Sequence, residues 1–242
     1  MAKRTTKRLL IRPNEGFTLI ELLLAMSFIS VLLLAIALSI TQISTIYTKG
    51  LALKEVNQTS REIATDIRRT IQGASMLDLA NDYVTTPAGG RLCFGSFSYV
   101  WNTTSALAAS DPNISTYEGS GKQVHFAKVP DLGKIYCSKG GGGAVLYKNI
   151  RAVDVPTTQE LLDAGEHKLT MNALALSTTP SATDPATAEA LYNLDFTVGS
   201  GDITAMNADQ SACIAAGEAN SDLTYCTVQS FSIVLRTGNR FN

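Results

Sequence analysis

Residues 15–40 read EGFTLIELLLAMSFISVLLLAIALSI. Between Phe17 and Tyr47 the only charged side chain is Glu21, and Lys49 is the next beyond it. Leu19 to Ile40 gives 22 predominantly apolar residues. At about 1.5 Å of rise per residue they can span a hydrocarbon core about 30 Å thick. Lys3, Arg4, Lys7, Arg8 and Arg12 precede the run, whereas Lys49 and Lys54 follow it more sparsely. That asymmetry predicts a cytoplasmic N-terminus, with everything beyond residue 50 outside. Glu21 is the anomaly, because a charged acid at the centre of a membrane helix costs about 2.5–3.5 kcal/mol.

Three readings of the segment compete. A secretory signal peptide would use Ala35-Ile36-Ala37 as its cleavage site. Its apolar region would then run about 18 residues against the usual 7–15, and Glu21 would serve nothing. A plain signal-anchor helix tolerates Glu21 near an interface without requiring it. The third reading gives the acid a role. RPNEGFTLIELLLAMSFISVLLLAIA, residues 12–37, resembles the type IV prepilin N-terminus shared by pilins, minor pilins and secretion pseudopilins. The resemblance lies in a short basic leader ending in Gly16, then Phe17, Thr18, Leu19, Ile20 and Glu21, then a long apolar helix.

The resemblance implies cleavage by a prepilin peptidase between Gly16 and Phe17, N-methylation of Phe17, and assembly guided by Glu21. In a filament, the new amine of Phe17 and the Glu21 carboxylate of a neighbouring pilin subunit would relieve each other's desolvation. Axial register then becomes the docking criterion. Many major pilins carry helix-softening Gly and Pro where this chain has Ser30 and Leu38. No Gly or Pro occurs from Phe17 to Lys49, so no kink is expected. That feature and the 226 residues left after cleavage lean toward a minor pilin or pseudopilin. The implied organisation is a leader at 1–16, a transmembrane and assembly helix at 17–48, an amphipathic helix at 49–79 and an exported β-rich head at 80–242.

Of 242 residues, 45% are hydrophobic and 17% charged, below the roughly 25% charged of soluble domains. The deficit reflects the apolar run together with Thr/Ser/Ala/Gly stretches downstream. Without residues 1–16 the chain keeps 15 basic and 20 acidic side chains, a balance of −5. Such a body has no basic field for nucleic acid. Cys93, Cys137, Cys213 and Cys226 are widely spaced with no CxxC pair, which favours disulfides over zinc. Three connectivities exist; Cys213–Cys226 with Cys93–Cys137 is favoured because the former closes a short loop. Four buried thiols is the plainer alternative if the head stays in the cytosol.

Beyond Gly50 the pattern turns amphipathic. Leu53, Val56, Ile63, Ile67 and Ile71 share one helical face, with Arg68 and Arg69 among its solvated charges. One helix is predicted from about Thr18 to Ile71, stopped by Gly73. Strands are expected at Arg91–Trp101, Gln123–Val129, Lys134–Ser138, Ala144–Tyr147, Leu191–Val198 and Cys226–Arg236. Glycine-marked turns include Gly89-Gly90, Gly140–Gly143 and Gly199–Gly201. Residues 161–176 fit a short helix or a strand, while 102–120 and 177–190 are expected to be surface loops. The fold class is therefore α+β: a long N-terminal helix packed on an antiparallel sheet.

No catalytic constellation stands out. His125 and His167 lie 42 residues apart without ligands at metal spacing. EGSGKQ at 118–123 lacks the first glycine and the Ser/Thr of a P-loop. Phe97, Tyr99 and Trp101 alternate as a core or sheet face. Some pseudopilins hold calcium in a C-terminal loop, which draws attention to Asp195, Asp202 and Asp209. No EF-hand pattern is present, and the expectation is no metal and no cofactor. The sequence thus points to a non-enzymatic filament subunit whose partners are the peptidase, other pilin or pseudopilin subunits and the membrane. The alternative is an exported binding or enzymatic domain that uses the helix only as a tether.

Overall fold

The structure, a computed structural model, describes residues 17–162, 168–184, 189–222 and 224–237. The chain divides into two compact units, one ending at Ser44 and the other beginning at Thr45. Helix α1 (Leu19–Gln72) runs through both without a break. It ends one residue before Gly73, as the sequence predicts.

In the second unit α1 is followed by α2 (Leu79–Asp82), β1 (Tyr83–Thr86), β2 (Gly89–Phe94), β3 (Phe97–Asn102), α3 (Thr104–Ala109) and β4 (Phe126–Pro130). Then come β5 (Gln159–Glu160), β6 (Leu169–Asp184), β7 (Glu189–Ser200) and β8 (Val228–Arg236). Strands β1 to β5 form one antiparallel sheet in sequence order, and β6-β7-β8 form a second. The architecture is α+β, with the helix packed on sheet.

Burial on the head part of α1 falls on Ala52, Val56, Ser60, Ile63, Ile67 and Ile71. Their four-and-three spacing makes one continuous stripe. Leu53, expected on that stripe, lies one position off it and stays 37% exposed. The isoleucines meet Leu92, Phe94, Tyr99, Trp101 and Phe126 of the first sheet and Tyr192, Leu194 and Phe196 of the second in one core. Ile67→Ala is expected to cost about 2–5 kcal/mol, as buried large-to-small changes do. Leu53→Ala should stay within about 0.5 kcal/mol. Thermal melts of the two variants check the stripe, and equal losses would contradict it.

Beside this core Asp66 of α1 is held by the first sheet. Tyr99 donates its hydroxyl to Asp66 Oδ2 at 2.6 Å, and Lys128 Nζ reaches Oδ1 at 2.8 Å. Burial and the Asp66 carboxylate both push the Tyr99 phenol up, so it remains a donor. On the opposite face of the first sheet, Cys93, Val100, Ala127 and Val129 are covered by Tyr117, Val124, Tyr136 and Ile150 in a second core.

Several sequence expectations give way to tertiary contacts. Arg91–Trp101 is two strands, reversed at Gly95 and Ser96 between the paired residues Phe94 and Phe97. Gly95 takes φ 61°, the left-handed conformation that a two-residue hairpin requires. Lys134–Ser138 is a turn. Asp131 captures the N–H groups of Ile135 and Tyr136 at 3.0 and 3.2 Å, which draws them away from any ladder. Ala144–Tyr147 makes only an isolated bridge, Lys139 with Val145. The undecided segment ending at Leu176 holds the first half of β6. A register shift between Met171 and Ala173 lets Leu169 and Met171, then Leu174 and Leu176, all turn inward. Within 177–190, expected to be loop, the pairing of β6 with β7 continues to Asp184 and Glu189. Gly199 does not turn the chain but pairs with Thr170 and Val228. Residues 102–120 include α3, capped where the Ala106 N–H donates to Thr103 Oγ1.

Candidate functional site

The N-terminal part of α1 presents itself as a surface. From Leu19 to Ile40 every residue is exposed, and large apolar side chains dominate. Of its four polar residues, Glu21, Ser27, Ser30 and Ser39, the three serines satisfy themselves locally. Ser27, Ser30 and Ser39 donate their hydroxyls to the carbonyls of Leu24, Met26 and Ala35 at 2.8–2.9 Å. Such back-bonding removes the unpaired polar groups that a hydrocarbon surrounding would penalise. By length and composition this is a helix able to cross a membrane.

Glu21 has a partner that the sequence reading missed. Thr18 donates to Glu21 Oε2 through its N–H at 2.9 Å and its hydroxyl at 2.7 Å. In return the Glu21 N–H reaches Thr18 Oγ1 at 3.3 Å. This is a capping box, and its signal is visible as Thr-x-x-Glu opening an apolar run. Both bonds fall on Oε2; Oε1 accepts none among the described residues. Phe17, the residue before the box, is 83% exposed. Gly16 and the basic leader lie outside the described residues, as does His167.

The four cysteines form Cys93–Cys137 and Cys213–Cys226. The first ties β2, beneath the second core, to the turn that covers it. His125 and Glu160 meet through the His125 N–H at 3.4 Å, while Glu160 also accepts from Phe126 N–H and the Tyr117 hydroxyl. Residues 118–123 form a turn with no helix behind it, unlike a phosphate loop. Asp202 and Asp209 spend a carboxylate oxygen on Thr204 and Ser211 respectively, and Asp195 lies on the exposed face of β7. Among the described residues no three His, Cys, Asp or Glu side chains gather as metal ligands.

The head also holds a cavity of about 620 Å³. Its walls come from β1 and β2, the 111–115 loop and the 143–148 loop. Arg91, on β2, lines it and is only 6% exposed. The guanidinium donates through Nη1 to the Gly90 carbonyl, and through Nη2 to Ser115 Oγ and the Lys148 carbonyl. Among the described residues no carboxylate lies within ion-pair distance of it. Burial lowers its pKa to about 10, which leaves it charged at neutral pH. Nothing local in GGRLCF marks this arginine, because its environment is assembled from loops distant in sequence. No known family, curated protein or solved structure matches this chain.

Proposed function

We propose that the chain is a type IV pilin-like subunit, a minor pilin or pseudopilin, built through its N-terminal helix into an envelope-spanning filament. A prepilin peptidase cuts between Gly16 and Phe17, Phe17 is N-methylated, and the head stays outside the cytoplasmic membrane. The observation that carries this reading is a 22-residue apolar helical surface with Glu21 as its one charge. A lipid tether needs the apolar surface but not the acid. The capping box accounts for Oε2, while a neighbour's Phe17 amine would answer the remaining oxygen and the net charge. A head stapled by two disulfides suits an oxidising compartment.

Mass spectrometry of the N-terminal peptide from native membranes tests the processing. A peptide beginning at methylated Phe17 is expected. A start after Ala37 would indicate a secreted domain, an intact leader would indicate a plain anchor, and either would overturn the reading. The cavity in the head favours a second reading, an anchored binding domain with the helix as tether.

A further inference from the structure

We infer that the head cavity is a binding site for a small hydroxylated carboxylate of the hexuronate type. The argument begins with Arg91. It is a buried cation in the cavity wall with three of its N–H donors spent on neutral oxygens and none on a carboxylate among the described residues. A buried charge without a countercharge is strongly penalised. An anion seated in the cavity supplies what the fold leaves out.

The other walls select the anion. Lys148 adds a second positive charge, with Nζ tethered to the Pro112 carbonyl. Asp111 subtracts one, and its Oδ1 is already occupied by the Asn113 N–H at 2.7 Å. The balance of one positive charge suits a monocarboxylate, whereas the wall carboxylate opposes a doubly charged phosphate. Thr85, with its hydroxyl, and Asn113, with its carboxamide, are also among the residues that line the cavity. They can exchange hydrogen bonds with ligand hydroxyls. Val84 and Val145 offer apolar surface to the carbon face of a sugar ring. The volume, about 620 Å³, is within the usual range of small-molecule sites. This site lies wholly in the head, so it stands or falls apart from the filament reading.

The test uses the full chain in detergent micelles, titrated calorimetrically with glucuronate, glucose and inorganic phosphate at neutral pH. Trp101, the single tryptophan, gives a second signal, because its ring closes against Gly90 in the cavity wall. Saturable glucuronate binding is expected, with glucose about tenfold weaker or worse for lack of the charge-assisted hydrogen bond. Arg91→Gln should abolish binding, but it also strips bonds from the fold. Two exposed residues therefore carry the decision. Thr85→Trp should block the cavity and Lys148→Glu reverse its balance, each weakening glucuronate about tenfold or more with unchanged circular dichroism. The inference is overturned if glucuronate does not saturate, if glucose binds equally, if phosphate binds more tightly, or if both surface variants bind like the unmodified chain.

Discussion

In cells producing the Glu21→Gln chain, the protein is expected to reach the membrane at its normal level yet drop out of sheared filaments. Glutamine serves the N3 position of a capping box almost as well as glutamate. The Thr18 contacts at 2.7–2.9 Å should therefore survive in form. What disappears is the charge. If each incoming subunit docks its Phe17 amine against the acid of a neighbour, glutamine leaves that amine buried without a counterion. Removing one partner of a buried pair costs about 3–5 kcal/mol, which corresponds to a fall of about a hundredfold or more in incorporation. Thr18→Ala is the complementary change. It breaks the cap at a cost of about 1 kcal/mol but keeps the carboxylate, and its incorporation should persist. Immunoblots of sheared filaments and of membranes separate the two roles. If Glu21→Gln incorporates normally while Thr18→Ala does not, Glu21 is a helix cap and nothing more.

Replacing Cys93 and Cys137 together by alanine is expected to cost the head about 4 kcal/mol. Removing Cys213 and Cys226 should cost about 3 kcal/mol. The order follows from loop closure: the first bridge spans 44 residues and the second 13, so its loss frees more unfolded-chain entropy. For a head of this size the first loss is worth a fall of roughly 8–16 °C in melting temperature. Position adds to the effect, because Cys137 anchors the turn bearing Tyr136 over Cys93, Val100 and Val129. Substitution is a cleaner test than reductant, since both sulfurs of this bridge are buried. Thermal melts of the two double variants decide the matter, and a larger loss for the Cys213/Cys226 pair would contradict the loop-length argument.

How far each element was legible follows from the range of the interactions that define it. β7 and β8 alternate cleanly, Tyr192, Leu194, Phe196 and Val198 facing one way along β7, because each is half-buried against a single core. β6 was illegible for a definite reason: the bulge near Asn172 shifts the inward set from Leu169 and Met171 to Leu174 and Leu176. That spacing matches neither a helix nor a regular strand. Asn172 itself is held by Thr104 and by the Gln210 carbonyl at 2.8 Å, partners far away along the chain. The turn at Asp131 likewise has a distant partner, Ser98, which donates its hydroxyl to Asp131 Oδ2 at 2.6 Å from 33 residues away.

The sequence by itself determined the long helix, its apolar and amphipathic halves, the placement of the one acid in the apolar half and the α+β class. Each depends on periodicity or composition within a few turns of chain, where burial repeats at a fixed interval. Tertiary structure decided where the hairpin at Gly95 reverses, whether the favoured pairing of the cysteines forms, and that Arg91 is buried in a cavity wall with no carboxylate at ion-pair distance among the described residues. Those outcomes depend on which distant loops close over the sheet. Their partners, Ser115 and Lys148, lie 24 and 57 residues from Arg91, beyond the reach of any local pattern.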